Sequence, residues 1–193
     1  MGNHRPLREA NRLLCADMSR QLAMEGKIEK PTWVEFLKRS IHPRFLPLLL
    51  YRWSRAALLL GIPGLPFVFS YLNLIIFGIQ ITPRCDIGSG LFLPHPVGTV
   101  IGAWKIGRDA TIFQGVTLGA KRVDLKFSRE LLPEIGDGVT IGAGAKILGG
   151  IRVGDNTTIG ANAVVLESIG SNCIAAGIPA RIVSPSMNES SKA

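Results

Sequence analysis

The chain is poor in the residues that would make it a disulfide scaffold, a secreted protein or a zinc module. It has 3 Cys and 3 His among 193 residues. Cys15, Cys85 and Cys173 show no paired spacing. That argues against a disulfide framework and a zinc site, and it suits a reducing, cytoplasmic compartment. Residues 1–5 are polar and lack the apolar run of a signal peptide. Gly2 makes no myristoylation signal, because position 6 is Pro6 rather than Ser or Thr. Negative charge is scarce in the first half. Residues 1–85 hold 12 Lys and Arg against 5 Asp and Glu, whereas residues 86–193 hold 10 against 9. A basic half suits an anionic partner such as a membrane surface or a phosphorylated substrate. Nucleic acid is the least suited partner, since no recognised binding motif is present.

Charge disappears altogether between Ala56 and Pro83, a stretch of 28 residues that is long enough to span a bilayer. Gly61, Pro63, Gly64 and Pro66 break it near one end, which leaves Phe67 to Ile81 short for a span. The expectation is a buried helix packed on the base of the next domain and on sister subunits. The alternative is peripheral contact with the inner face of a membrane through residues 43–80, with Lys38, Arg39, Arg44, Arg52 and Arg55 near headgroups. Upstream, residues 6–25 predict an amphipathic helix with Leu7, Ala10, Leu14 and Met18 on one face and Gly26 at its end. Thr32-Trp33-Val34-Glu35 is a capping-box pattern for a second, short helix. His42-Pro43 interrupts it, and a third helix is predicted from Pro43 to Leu60.

An aliphatic residue then recurs at every sixth position: Ile135, Ile141, Ile147, Val153, Ile159 and Val165. Gly follows most of them. Six is not a helical period. One short strand and one turn fit in six residues, with the aliphatic side chain pointing into a narrow core, and such fixed short periods mark a parallel β-helix. Ile106, Ile112 and Leu118 keep the step, as do Ile87 and Leu93. The register slips between Leu93 and Ile106. From Leu118 to Ile135 there are 17 steps where three repeats need 18. The charged stretch 120–134 between them is expected to be a loop thrown out of the coil, and such loops tend to be functional.

Four blocks carry a resemblance to the hexapeptide-repeat acyltransferases, closest to their serine acetyltransferase-like branch. They are Leu93-Pro94-His95-Pro96-Val97-Gly98, Gln114-Gly115-Val116-Thr117-Leu118-Gly119, the run Ile141 to Gly149, and the run Ala175 to Val183. The resemblance implies a mainly β fold. A left-handed parallel β-helix would occupy residues 81–183, with an α-helical N-terminal region over 1–80 and a polar tail over 184–193. It also implies a homotrimer with active sites between neighbouring β-helices, and acetyl-CoA as cosubstrate with no metal. The β-helical carbonic anhydrases are excluded, because they need three His ligands and the repeat region holds His95 alone.

His95 matches the family's catalytic histidine. Imidazole has the right basicity to take a hydroxyl proton at neutral pH, so His95 is the expected general base. Gly119, Ala143 and Ala161 match small positions along the coenzyme A groove, and Lys146 and Arg181 could meet its phosphates. Three departures stand out. Pro94 replaces an Asp, Gln80 replaces the Asp that orients the histidine, and Leu132 replaces a loop histidine that helps hold serine. Gln80, Asp86 and Glu134 remain as groups that could orient His95. These changes favour a sugar hydroxyl as acceptor, as in the exopolysaccharide and colanic acid acetyltransferases, over serine. On that expectation the partner is a glycan; the alternative is the serine O-acetyltransferase of cysteine synthesis.

Overall fold

The computed structural model describes residues 5–27 and 32–185. The tail reading over 184–193 lies mostly outside them. Four helices come first: α1 (Arg5–Met24), α2 (Trp33–Ser40), α3 (Leu46–Leu59) and α4 (Leu65–Phe77). Thr32 caps α2 in the expected box. Its hydroxyl accepts from Glu35 N, and the Glu35 carboxylate accepts from Thr32 N. Helix α3 starts three residues later than expected, because residues 41–45 form turns behind Pro43. Gly78 closes α4 in a left-handed conformation, with φ 61°.

Beyond Gly78 the chain winds through three parallel sheets. The first stacks Gln80–Ile81, Val100–Ile101, Thr117–Gly119, Lys146–Leu148 and Val164–Val165. The second stacks Asp86–Ile87, Lys105–Ile106, Glu134–Ile135 and Arg152–Val153. The third stacks Thr111–Ile112, Thr140–Ile141, Thr158–Ile159 and Cys173–Gly177, and an antiparallel strand, Ala180–Pro185, closes it. Up to Cys173–Gly177, strands consecutive in the chain lie in different sheets, and each pairs with the strand one turn away. That is a three-faced parallel β-helix. In the regular part Ile135 pairs with Val153, Ile141 with Ile159 and Ile147 with Val165. Every aliphatic residue of the six-residue repeat is at most 3% exposed. Each contributes roughly 1.5–3 kcal/mol through burial.

The two breaks in the repeat are local. Ile81 pairs with Ile101 and Phe92 bridges Thr111, so the corner from Leu93 to Ile101 takes eight steps where six suffice elsewhere. The longer break differs from its expected form. Leu118 pairs with Ile147 and Ile135 with Ile106, so the 17 steps between them cover one side of the coil, not three repeats. Eleven residues are therefore extra, and they leave the coil between Gly119 and Glu134.

The helices close the first turn of the coil. Leu14, Met18, Leu22, Phe45, Leu48 and Tyr51 share one core with Ile79, Ile81 and Ile87. A buried Asp17–Arg52 pair, 3.0 Å apart, ties α1 to α3. Helix α4 packs against α3 and against the first strand of the coil, Gln80–Ile81, and within the single chain it buries Pro66 and Asn73. Asn73 donates to Pro47 O at 3.0 Å, while Phe67, Tyr71 and Ile75 stay exposed. No helix among the described residues is long and apolar enough to cross a membrane.

Candidate active site

The eight-step corner is what presents His95. Pro94 and Pro96 are buried on either side of it, and neither has an N–H to satisfy. The corner is pinned by its own backbone. Gly98 N donates to Gly78 O at 2.9 Å, and Gly115 N donates to Val97 O at 3.1 Å. The first bond joins the corner to the end of α4, the second to the next turn of the coil. His95 is left exposed between two anchored prolines.

It faces a groove of about 700 Å³. His42, Pro43 and Arg44 line it from the link between α2 and α3, and Ile76, Phe77 and Gly78 line it from the end of α4. Pro94 to Val97 complete the lining. His42 Nδ1 accepts from Arg44 N at 3.2 Å, which leaves the guanidinium of Arg44 out of that contact. No carboxylate lines the groove. The sequence reading missed His42 and Arg44. Their signal was the His42-Pro43 interruption, read only as the end of a helix.

The three groups expected to orient His95 are dispersed. Gln80 lies two residues beyond Gly78, exposed, and its backbone N donates to Thr99 O at 2.9 Å. Asp86 is on the second sheet, where it accepts from Arg55 at 2.7 Å, and it lines a separate cleft of about 450 Å³ under α1 and α3. Glu134 is also on the second sheet and accepts from Arg129 at 2.8 Å. Neither carboxylate lines the His95 groove.

On the donor side, Ala143 and Ala161 stack in adjacent turns, with Asn162 N donating to Ala143 O at 2.8 Å. Gly119 ends its strand of the first sheet, and a Cβ there would meet no atom within 4 Å. Its missing side chain thus leaves open space rather than close packing. Lys146 begins the neighbouring strand, but its ammonium donates to Gly144 O at 2.6 Å and Gly115 O at 3.0 Å. Arg181 is exposed on the closing strand and donates to Ala180 O at 2.9 Å. Leu132 is only 5% exposed. A core position explains an apolar residue there.

Residues 133–167 match the bacterial transferase hexapeptide (six repeats) family. A serine acetyltransferase of Synechocystis sp. is 43% identical over 155 residues, covering 80% of this chain and 60% of that protein. The crystal structure of serine acetyltransferase from Neisseria gonorrhoeae superposes with a TM-score of 0.80 at 30% identity, over 94% of this chain and 67% of that one. The Brucella abortus enzyme in complex with coenzyme A gives 0.79 at 30% identity, over 96% and 72%. The chain belongs to the serine acetyltransferase family of hexapeptide-repeat transferases. It spans about 60% of the length of the curated Synechocystis relative. The family assignment overturns the expectation of a glycan acceptor. Gln80, Pro94 and Leu132 had suggested a lost serine site, yet the relatives that match over most of the chain are serine acetyltransferases.

Proposed function

We propose that the protein is an acetyl-CoA-dependent serine O-acetyltransferase with His95 as general base. The observation that carries this reading is the lengthened corner at 93–101, which sets one exposed imidazole on the rim of a groove in a chain of this family. Bound acetyl-CoA supplies an activated acetyl thioester. The open strip beside Gly119 and the small side chains of Ala143 and Ala161 fit its extended arm. The ammonium of Lys146 is already held by main-chain oxygens, so Arg181 is the better of the two cations for a phosphate. His95 takes the proton of the serine hydroxyl as the oxygen attacks the thioester carbonyl, and that proton then goes to the departing thiol. An N–H near Gly119 is suited to the charge that develops on the carbonyl oxygen. Arg44, on the same groove, is suited to the carboxylate of serine. The coil is left-handed in this reading and the assembly is a homotrimer, in which a neighbouring β-helix completes the site.

Thiol release from acetyl-CoA with L-serine tests the proposal. His95→Ala should lower turnover by a factor of roughly a hundred or more while acetyl-CoA still binds. Near-normal turnover in that variant removes His95 from the chemistry. Absence of serine-dependent release by the intact protein overturns the substrate.

A further inference from the structure

Every polar side chain that lines the His95 groove is basic. His42 and Arg44 reach it from the link between α2 and α3, and His95 from the corner. Proline and large apolar side chains make the other walls. The order of the chain explains this bias. From Phe36 to Arg108 the only Asp or Glu is Asp86, and all three segments that line the groove fall inside that stretch. Asp86 is on the second sheet, where it accepts from Arg55 at 2.7 Å. Arg44 is half-buried and makes no ion pair among the described residues. The main-chain oxygens of His42, Gly78, Pro96 and Val97 each already accept a backbone N–H.

The two charged ends of a serine-like acceptor meet this groove differently. A carboxylate can take charge-assisted hydrogen bonds from Arg44. An ammonium gives up water beside basic and apolar side chains and gains no anion, which costs free energy. A site rejects an analogue strongly only when the missing group leaves one of its own polar groups unpaired. We propose that the groove selects its acceptor by the carboxylate and not by the ammonium, so that the protein also acetylates hydroxy acids that lack an amine, with 3-hydroxypropionate as the serine analogue. The inference rests on the proposed O-acetyltransferase activity with His95 as general base. The hydroxyl oxygen of the acid bonds to the acetyl carbon and the thioester C–S bond breaks. The hydroxyl proton passes through His95 to the thiol, and 3-acetoxypropionate and free coenzyme A leave.

Thiol release from acetyl-CoA with L-serine, 3-hydroxypropionate and ethanolamine in parallel tests it, because each analogue keeps one charged end of serine. 3-Hydroxypropionate should reach a kcat/KM within roughly tenfold of that for serine, since the lost ammonium had no partner. Ethanolamine should fall roughly tenfold or more below 3-hydroxypropionate, the worth of a hydrogen bond to a charged group. Arg44→Gln should raise KM for both carboxylates and cut the preference for 3-hydroxypropionate over ethanolamine by roughly fivefold or more. Unchanged binding of acetyl-CoA shows that this variant keeps its fold. A kcat/KM for 3-hydroxypropionate more than roughly tenfold below serine overturns the proposal, because an anion, from this chain or a neighbouring copy, then holds the ammonium. Ethanolamine matching 3-hydroxypropionate overturns it too, as does an unchanged preference in Arg44→Gln. Turnover with serine alone leaves the serine activity standing without this inference, and release with none of the three removes both.

Discussion

Asp17 is the most informative residue to perturb. Its side chain is fully buried, and its carboxylate meets four donors. Arg52 Nε and Nη2 donate at 3.0 and 3.1 Å, and the backbone N–H groups of Gly90 and Leu91 donate at 2.8 and 3.0 Å. Burial pushes the carboxyl up, against the pull of the guanidinium and the two N–H groups. Arg52 in turn donates to Ile87 O and Gly88 O, both at 2.6 Å. One pair of side chains thus fastens α1 and α3 to residues 87–91, just before the corner that carries His95. Asp17→Asn turns one acceptor into a donor facing a guanidinium and leaves a buried cation without its counter-ion. Breaking one partner of a buried pair costs about 3–5 kcal/mol. For a chain of this size that is on the order of 6–20 °C in Tm. Urea unfolding at fixed protein concentration should report it. Arg52→Met in the Asp17→Asn background should restore part of the loss, since the stranded charge is gone, and the double variant should cost well below the sum of the singles. A loss under about 1 kcal/mol for Asp17→Asn, or additive losses, would refute this account of the clamp.

Two further effects follow from particular contacts. Gly144 sits at φ 72°, and a Cβ there would collide with Asn162 Oδ1 in the next turn. Gly144→Ala should destabilise by about 1–3 kcal/mol through strain and displacement of the neighbouring turn, read by chemical denaturation; an unchanged midpoint would show that the turns slide freely. Acid should loosen the pairing of α1 with α2. The Arg39 guanidinium bonded to Glu25 holds that carboxyl below the usual range. A lowered folded pKa gives stability that is present above the unfolded value and is lost as pH falls through the folded one. Unfolding free energy measured down from about pH 5 should decline, and Arg39→Met should flatten part of that slope. An identical slope in the variant would mean that Glu25 contributes nothing.

Much of the coil was legible because its signal is periodic. Ile135 to Val165 stand at one spacing, and a narrow three-sided core accepts an aliphatic side chain on each side at that spacing and little else. The caps were legible for a similar reason: Thr32 and Glu35 satisfy each other over three residues. What required the structure was non-local. His42 and Arg44 reach the His95 groove from more than fifty residues upstream, and no spacing rule connects them. The 17-residue interval after Leu118 almost fits three repeats, so counting alone could not show that it crosses a single side of the coil. Lys146 looked free because side-chain type and spacing say nothing of main-chain acceptors; the carbonyls of Gly144 and, from the preceding turn, Gly115 hold its ammonium. The acceptor was misjudged by the same route. Missing acidic side chains were read as a missing site, although groups brought from other elements can supply charge to a groove.

The corners explain how one backbone tolerates this variation. Each side of the coil is fixed by hydrogen bonds to the turns above and below and by an inward aliphatic residue, so a substitution there costs core packing. A corner is held by fewer such bonds and can lengthen between them. Two extra residues between Leu93 and Ile101, or eleven between Leu118 and Ile135, leave the pairs Ile101–Leu118 and Ile106–Ile135 in register. Loop closure rises only logarithmically with length, by about 0.6 kcal/mol per doubling. Chemistry can therefore be added at a corner without disturbing the stack, provided the added residues are anchored. At His95 the anchoring is visible: two prolines, which need no donor partner, and the Gly98–Gly78 bond. That bond also couples the corner to the end of α4, so a change in how α4 is held reaches the histidine through a single hydrogen bond.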